Sequence, residues 1–461
     1  MINLDAFNSI KSAAETNTRI FTPKKIVKEM LEALPPEVWN SQTVFFDPAV
    51  KSGIFLVEIF NKLMETPSLI KEFPDQQARK SHILKNQMMG IATDKLSCLT
   101  AQRNIYGYMN PTGNIRTMEN YMDLVKNKSS KYYVEAVQKE FGENMKFDVI
   151  IGNPPYQEGT GGGRGNRADD IFHKFIEKAM LLDSIITMIV PSKWCNKDSL
   201  TGFREKFIAD NHIEKLVHFE NSKDCFDVDI AGGVSYFIYN PKEKYSTCSV
   251  VNEKNEPVNR PLTINGSSRV ILNNIGYSII EHVKNEKCFV PASGDNPFKI
   301  RSDEYGDIVR RNQDDIRLIK GKEEYFFRRT EIAENLMIDQ YKCSIGKMNP
   351  DRGGVNNSNA WNVINVPKLL DKGDVIAQNY MILYASDSKE KVSNFMSYAK
   401  SKFFRFLLLQ GMSGVSLSSE SNYIYIQIQD FSHPWTDEML YKKYNLTDEE
   451  IAYIEATIKP M

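Results

Sequence analysis

The sequence lacks several features that would place the protein in common classes. Its 461 residues include six scattered cysteines and no Cys-x-x-Cys pair, which argues against a zinc site or a disulfide framework and favours reduced, cytosolic thiols. No stretch approaches the ~18 consecutive apolar residues of a membrane span. The first residues also lack the basic and then apolar pattern of a signal peptide. We therefore expect a cytoplasmic protein with no membrane association and no metal.

Net charge is also nearly absent. Lys and Arg total 58 and Asp and Glu total 59, which gives a formal charge of −1. The surface as a whole is therefore not a polyelectrolyte partner for nucleic acid, and any such contact must come from local basic clusters. The hydrophobic fraction of 41% and the charged fraction of 25% are ordinary for a globular protein. The length suggests roughly two to three domains.

The common phosphate-binding motifs are missing at the point where they would be expected. Residues 47–53 form a tight turn between a short predicted strand and a predicted helix, which is how a nucleotide-binding half-fold begins. The turn is neither a P-loop nor a Gly-x-Gly-x-x-Gly motif. Asp47 at the end of the strand would repel a phosphate but would suit an amino or ammonium group. The turn therefore points away from dinucleotides and towards a cationic cofactor.

A first helix is predicted after Thr22-Pro23. Apolar residues recur at helical spacing from Ile26 to Leu34, and Pro35 ends the pattern. Thr22 is then expected to be the N-cap, with Pro23 at the first helical position. The functional alternative is a lid whose N-terminal N–H groups face an anion.

Strands and helices alternate up to about residue 250. A second predicted strand ends in Asp94, an acid at the position where such folds hold a ribose diol, although Asp94 also suits a helix N-cap. A third and weaker strand candidate contains Glu119. The alternation predicts one doubly wound, Rossmann-like α/β domain over residues 1–250, followed by a mixed α+β domain over residues 251–461.

The stretch Phe147–Tyr156 contains the strongest candidates for catalytic residues. A buried parallel strand is expected to end at Gly152, because two prolines that follow cannot donate to a sheet. Asn153 supplies an amide oxygen, Pro154 supplies a stiffly held carbonyl, and Tyr156 supplies an aromatic face. Two acceptors in a fixed corner can grip a planar amino group and make its nitrogen nucleophilic. The simpler interpretation is a proline-stiffened turn at a strand end. The predicted catalytic residues are Asn153, Pro154, Pro155 and Tyr156.

Basic residues form local clusters after this stretch. A glycine-rich loop at 159–165 is interpreted either as a linker-like turn or as a flap that orders on substrate. In the second domain, cations alternate with aromatic rings at 325–329 and 400–406, next to strand candidates at 375–384 and 423–428. Such clusters fit a nucleic-acid contact surface, although buried rings beside solvated cations are the simpler interpretation. The candidate phosphate-binding residues are Arg164, Arg167, Arg328, Arg329, Lys347, Arg352 and Lys402.

Taken in order, these motifs resemble a known family. Phe21-Thr22-Pro23, the turn from Asp47 to Gly53, Asp94 and the stretch Asn153-Pro154-Pro155-Tyr156 precede a large C-terminal module. This arrangement is similar to the gamma-class adenine-N6 DNA methyltransferases of the Eco57I-type modification methylase group. The resemblance implies transfer of a methyl group from S-adenosylmethionine to an adenine flipped out of double-stranded DNA. If the protein is the modification component of a restriction-modification system, cleavage of DNA would reside on a separate restriction endonuclease chain.

The resemblance also implies roles for particular positions. Asn153 and Pro154 would accept from the amino group of adenine, and Tyr156 would stack on the extruded base. Asp94 would hold the ribose hydroxyls of the cofactor, and Glu119 is the candidate for the amino group of its adenine. The remaining implied cofactor-binding residues are Thr22, Pro23, Asp47, Pro48, Ala49 and Gly53.

Alternatives stay open on the sequence alone. The family's usual Cys and first Gly in the cofactor turn are replaced by Val50 and Lys51, and a side chain at position 51 would narrow the approach to the cofactor. The same Asn-Pro-Pro-Tyr stretch could serve a methyltransferase that acts on a protein glutamine amide or an RNA base. A catalytically weak DNA-binding protein on a methyltransferase fold is the alternative from another class.

Overall fold

A computed structural model describes residues 21–108, 113–127, 129–142, 145–158, 169–228, 230, 232–252, 256–264, 266–284, 286–320, 323–351 and 360–461. The chain forms two compact units. The first contains Met1–Cys195 and Ser199–Leu262, and the second contains Asn196–Asp198 and Thr263–Met461. The first unit extends past residue 250, at which the sequence placed the boundary, because two further strands close its sheet.

The first unit alternates helices and strands, as the α/β prediction requires. Its helices are α1 (Lys24–Glu32), α2 (Ile54–Met64), α3 (Pro67–Glu72), α4 (Gln76–His82), α5 (Lys95–Tyr106), α6 (Tyr121–Asn127), α7 (Ser130–Phe141), α8 (Phe172–Met180) and α9 (Thr201–Ile208). Its strands are β1 (Phe45–Val50), β2 (Met88–Ala92), β3 (Ile115–Thr117), β4 (Val149–Gly152), β5 (Gln157–Glu158), β6 (Asp169–Asp170), β7 (Ile185–Pro191), β8 (Ile213–Phe219), β9 (Val234–Tyr239), β10 (Cys248–Asn252) and β11 (Val258–Arg260).

Over the described residues, nine of these strands form one sheet in the order β11-β10-β8-β9-β7-β4-β1-β2-β3. Strands β3, β2, β1, β4 and β7 run parallel, whereas β9 is antiparallel to both β7 and β8. Every residue of β1, β4 and β9 is buried, which is typical of strands that are covered on both faces. The prediction of an α/β fold with a doubly wound, largely parallel sheet is confirmed.

Two local predictions in this unit are wrong. Helix α1 does bury the predicted apolar face, but its N-cap is Pro23, and no side chain caps it. Strand β1 continues through Asp47 and Pro48 to Val50, so the predicted turn at 47–53 is confined to the residues after Val50. A register irregularity between Asp47 and Val50 in the β1–β2 pairing accommodates the proline within the sheet.

The second unit is mixed α+β. Its helices are α10 (Asn274–Val283), α11 (Lys389–Lys400), α12 (Lys402–Gly411), α13 (Asp437–Lys443) and α14 (Asp448–Thr457). Its strands are β12 (Ile316–Lys320), β13 (Glu323–Phe327), β14 (Tyr341–Gly346), β15 (Lys368–Leu370), β16 (Asp374–Val375) and β17 (Tyr380–Ser386). They form two three-stranded sheets in the orders β13-β12-β16 and β15-β14-β17.

Two predictions for the second unit change. The strand expected at 423–428 is absent: a short 3-10 helix ends at Tyr423, and a single bridge joins Gln427 to Cys288. In the cluster at 400–406, the rings of Phe403, Phe404 and Phe406 are fully buried in the core of this unit. The simpler interpretation of that cluster therefore holds, because the rings pack inward instead of facing a ligand.

Two features are absent from the described part of the chain. None of the described helices is both long and apolar enough to cross a membrane. Among the described side chains, no group of three or more His, Cys, Asp and Glu residues could hold a metal ion.

Candidate active site

The candidate site lies where the strand order of the first unit reverses. Strand β1 pairs in parallel with β2 on one side and with β4 on the other, so the connections from β1 and β4 leave the sheet in opposite directions. A crevice opens at the carboxyl ends of such strands and is the usual ligand site of open α/β sheets. Asp47 lies within β1 near this end, and Asn153 directly follows β4.

Asn153 is held by a residue far away in the sequence. Its Nδ2 atom donates a hydrogen bond to Oγ1 of Thr22 at 3.1 Å, and only 4% of Asn153 and 2% of Thr22 are exposed. This bond sets the orientation of the amide and therefore the direction of its carbonyl oxygen. Pro154 is buried and Pro155 is half-buried, so the backbone after Asn153 is both conformationally restricted and packed. The segment before α1 thus positions the Asn-Pro-Pro corner.

Asp47 is a buried acid at the centre of the crevice. Its Oδ1 atom accepts a hydrogen bond from the backbone N–H of Ala49 at 2.9 Å. Burial raises the pKa of Asp47 to about 7, although the Ala49 bond and the charge of Lys51 oppose this shift. A Cβ atom built on Gly152 would lie 2.8 Å from Oδ1 of Asp47. Only glycine therefore lets β4 approach the carboxyl this closely.

Side chains from two helices hold the end of β1 and the turn that follows it. Gly53 adopts φ +78°, a left-handed conformation that favours glycine, and it is the N-cap of α2. Nδ2 of Asn104 in α5 donates to the carbonyl of Ser52 at 2.9 Å. The hydroxyl of Tyr121, the first residue of α6, donates to the carbonyl of Pro48 at 2.8 Å. The turn is therefore fixed from several sides.

Of the six cofactor residues predicted for the turn and the Thr22 segment, Thr22, Asp47, Ala49 and Gly53 line one cavity, whereas Pro23 and Pro48 do not. Phe21 and Asn153 line the same cavity. Its volume is about 10 Å³, room for about one water molecule. The other side chains that line it are those of Lys51, Ser52, Ile54 and Phe55. A ligand larger than water therefore requires this cavity to widen, and Lys51 is one of the residues that narrow it.

The two other acids predicted for the cofactor lie after the neighbouring strands. Asp94 is half-buried and caps α5, because its carboxylate accepts from the backbone N–H of Ser97 at 2.9 Å and from its hydroxyl at 2.7 Å. The N-cap interpretation of Asp94 is confirmed, and it leaves the acid at the carboxyl end of β2. Glu119 is exposed in the turn between β3 and α6.

Tyr156 is anchored to the sheet. Its hydroxyl lies 3.5 Å from the carbonyl oxygen of Ile189 in β7, and the ring packs against the core of the first unit. Burial raises the pKa of Tyr156 well above its ordinary value, so the hydroxyl stays protonated. The ring is half-buried, so one part of it packs against the core and the rest is accessible.

Four of the seven predicted phosphate-binding residues fall in the described part of the second unit, and three of these are paired with acids. Arg329 pairs with Asp339 through both of its terminal nitrogens. The two paired lysines are Lys347, with Asp295 at 2.8 Å, and Lys402, with Glu455. Arg328 is exposed, and its guanidinium makes no ion pair with a described acid, although its backbone N–H donates to the carboxylate of Glu331 at 2.8 Å. Arg164, Arg167 and Arg352, together with the glycine-rich loop, lie outside the described residues.

The structure adds residues that sequence reasoning missed. Tyr121 supports Pro48 in β1 from 73 positions away in the chain, and no local pattern indicates that contact. Gly152 could have been recognised, because a glycine inside a strand often marks a close approach of two backbones or of a ligand. The role of Thr22 was misread as a helix cap, since its actual partner lies 131 positions away.

Comparison with known proteins places these motifs in context. Residues 86–226 match the family described as Eco57I restriction-modification methylase. An "uncharacterized adenine-specific methylase" of Mycoplasma pneumoniae (strain ATCC 29342 / M129 / Subtype 1) is 31% identical over 315 residues. That alignment covers 55% of this chain and 74% of the relative.

Solved structures resemble this chain at low sequence identity. The type IIL restriction-modification enzyme MmeI, solved in complex with DNA, is 10% identical with a TM-score of 0.51, over 98% of this chain and 75% of that one. A modification subunit of a putative type I restriction enzyme from Vibrio vulnificus YJ016 is 16% identical with a TM-score of 0.39, over 55% of this chain and 52% of that one. The chain thus spans about half the length of the latter subunit.

Proposed function

Because this chain belongs to the adenine-specific methylases of the Eco57I restriction-modification group, we propose that it methylates N6 of an adenine flipped out of duplex DNA. The methyl donor is S-adenosylmethionine. The observation that carries the proposal is the convergence of Thr22, Asp47 and Asn153 at the switch point of the sheet. Without this convergence, the Asn-Pro-Pro-Tyr stretch would be only a stiff turn.

The proposed chemistry uses two acceptors on one amino group. The Oδ1 atom of Asn153 and the carbonyl oxygen of Pro154 each accept a hydrogen bond from one N–H of the target amine. The amine lone pair then leaves conjugation with the ring and becomes available for in-line attack on a methyl group. No strong base is required beforehand, because the proton leaves after the nitrogen has become cationic. The hydrogen bond to Thr22 and the two prolines hold this geometry before substrate arrives, which reduces reorganisation during the reaction.

The residues around the cavity suit a cationic cofactor. When bound, S-adenosylmethionine supplies an activated methyl group on a positively charged sulfur. Asp47, with a pKa of about 7, carries a negative charge most readily when a cation lies beside it. Asp94 and Glu119 follow the next two strands along the sheet, in the order expected for the ribose and then the adenine of the cofactor. The cavity must widen for this, and Lys51 and the Thr22 segment border it.

The second unit is proposed to read the DNA target. This unit has its own mixed α+β architecture and carries the exposed Arg328. None of the proposed catalytic residues belongs to it. Duplex DNA is therefore the proposed partner, and a restriction endonuclease, where the system has one, is proposed to be a separate chain. The proposed location is the cytosol or nucleoid of a prokaryotic cell.

The deciding experiment measures which polymer accepts the methyl group. The full chain is incubated with S-adenosylmethionine labelled in its methyl group, together with duplex DNA, RNA and protein in separate reactions. Labelled DNA is then digested and its nucleosides are separated. We expect label in N6-methyladenine from duplex DNA.

Two outcomes would redirect the proposal. Label found only in RNA or only in protein glutamine would support the same chemistry at Asn153 and Pro154 but on a different substrate. If no polymer is labelled although S-adenosylmethionine binds, the chain would be a DNA-binding protein that has lost catalysis.

A further inference from the structure

A further cavity of the first unit lies at the amino ends of β2 and β3, whereas the candidate active site lies at the carboxyl ends of β1 and β4. Its volume is about 390 Å³, which is within the range of small-molecule sites. Tyr106, the last residue of α5, is part of its wall, and Asp94 caps the other end of that helix. The 12 residues of α5 span about 18 Å. The cavity is therefore separate from the proposed cofactor site.

The described residues that line this cavity are mostly polar and accessible. Lys80 and Lys85 are exposed, Tyr108 is 63% exposed, and Tyr106 and Asn114 are half-buried. The remaining lining residues are Gln77, Ser81, Leu84 and Gly113. No acid is among the described lining residues, and neither lysine forms an ion pair with a described acid. The cavity therefore offers positive charge and aromatic surface to a ligand.

Hydrogen bonds join the segments that form the walls. The hydroxyl of Tyr106 accepts from the backbone N–H of Asn114 at 3.1 Å. Nδ2 of Asn114 donates to the carbonyl of Lys85 at 2.8 Å and to that of Leu84 at 3.3 Å. Both carbonyls belong to a π-helical turn, Ile83–Gln87, a rare element that is frequent at functional sites. Because Asn114 satisfies these carbonyls, their partial negative charge repels an anion less strongly.

The aromatic and basic side chains match the two parts of a nucleotide. The ring centroids of Tyr106 and Tyr108 lie 6.4 Å apart. Tyr106 packs against the core of the first unit, whereas most of the Tyr108 ring is accessible. Nucleic acid bases stack on aromatic side chains of this kind, and the stacking tolerates any base. Lysine ammonium groups bind phosphate as point charges.

We propose that this cavity binds a nucleotide unit, with the base stacked on Tyr108 and the phosphate held by Lys80 and Lys85. The same base and phosphate are present in a free mononucleotide and in one residue of a nucleic acid strand. The site is additional to methyl transfer, because it shares no residue with the catalytic corner or with the cofactor cavity.

Thymidine 5′-monophosphate is the probe, because it has no adenine and so cannot act as the methyl acceptor. The full chain is titrated by isothermal calorimetry with S-adenosylhomocysteine present in excess, which keeps the probe out of the proposed cofactor site. We expect Tyr108→Ala to weaken binding about tenfold and Lys85→Ala to weaken it roughly three- to tenfold. Tyr108→Phe keeps the ring and should retain the affinity. Lys71→Ala is the matched control, since Lys71 is also exposed but does not line the cavity, and it should leave the affinity unchanged.

Oligothymidylate distinguishes the two sources of the nucleotide. If a nucleic acid strand is the ligand, the oligomer binds more tightly than the monophosphate and loses affinity in Tyr108→Ala and Lys85→Ala. If a free mononucleotide is the ligand, these substitutions weaken binding of the monophosphate alone. Insensitivity of both ligands to Tyr108→Ala and Lys85→Ala, or an equal loss in Lys71→Ala, overturns the proposal. Thermal unfolding verifies that each variant is folded.

Discussion

The two ends of the Asn153 amide have different roles. Its Nδ2 atom is used to hold Thr22, and its oxygen is proposed to hold the target amine. Replacing Asn153 with Ala removes both interactions but leaves Asp47 and the turn after β1 in place. We expect Asn153→Ala to lower the rate of methyl transfer by on the order of 100-fold or more, with cofactor affinity changed only a few-fold. Isothermal titration with S-adenosylhomocysteine and a single-turnover assay measure the two quantities. An equal loss of both would place Asn153 in cofactor binding instead.

Thr22 can be tested separately, because its hydroxyl accepts the bond from Asn153. Thr22→Val keeps the shape of the side chain and removes the acceptor. The amide of Asn153 would then turn more freely, and we expect kcat to fall by roughly 10- to 100-fold. Thr22→Ser restores the hydroxyl and should recover most of the activity. A rise in the dissociation constant of the cofactor without a fall in kcat would assign Thr22 to the cofactor alone.

Asp47 predicts a pH dependence of cofactor binding. Burial raises its pKa to about 7, so the carboxyl is mostly neutral at pH 6 and mostly ionised at pH 8. A cationic cofactor prefers the ionised form, and its affinity should therefore rise by about tenfold from pH 6 to pH 8. Binding measured across this range for the unmodified chain and for Asp47→Asn isolates the effect, because the amide cannot ionise. The same slope in both proteins would show that another group titrates.

At the scale of elements, the close approach of β4 to β1 makes Gly152 critical. A methyl group at this position would meet Oδ1 of Asp47 at 2.8 Å, and both strands lie in the middle of the sheet. We expect Gly152→Ala to lower the free energy of unfolding by about 1–3 kcal/mol and to weaken cofactor binding. Urea denaturation measures the first effect. Gly202→Ala is the control, since Gly202 lies in α9 with nothing within 4 Å of an added Cβ, and it should be neutral or slightly stabilising.

The elements around the site could largely be predicted from sequence, whereas their contacts could not. The run before Asn153 and the helix after Thr22 each have a local pattern, and both are present in the structure. The extension of β1 through Pro48 was missed, because a proline normally ends a central strand and only the irregular register explains its tolerance. The bond between Asn153 and Thr22 joins residues 131 positions apart, a separation at which periodicity carries no information.

In the second unit, the pattern of residues 423–428 misled for a different reason. Alternating Tyr and Ile residues are typical of a half-buried strand. Here the segment begins with a 3-10 helix and makes only one bridge, to Cys288. Tyr423, Tyr425 and Ile426 all pack in the core, so the apolar residues of this segment are buried without forming a strand.

For the whole molecule, a formal charge of −1 means that affinity for DNA depends on a few unpaired cations. Among the described candidates, the guanidinium of Arg328 makes no ion pair with a described acid, whereas Lys402 is paired with Glu455 and its side chain is 16% exposed. We expect Arg328→Ala to weaken DNA binding and to reduce the slope of log affinity against log salt by about 1. Lys402→Ala, which removes a cation of the same charge, should leave that slope unchanged. Fluorescence anisotropy with a labelled duplex at several salt concentrations provides the measurement. The reverse ranking would place the DNA on the side of α12.

The position of β9 has a consequence for how the chain is made. Strand β9 lies between β7 and β8 in the sheet although it follows both in the sequence. During synthesis, β7 and β8 must wait with open apolar edges until residues 234–239 have emerged from the ribosome. An unpaired edge of this kind is a template for pairing with another chain. The interval between the emergence of β7 and that of β9 is therefore one in which a nascent copy is exposed to aggregation and to capture by chaperones.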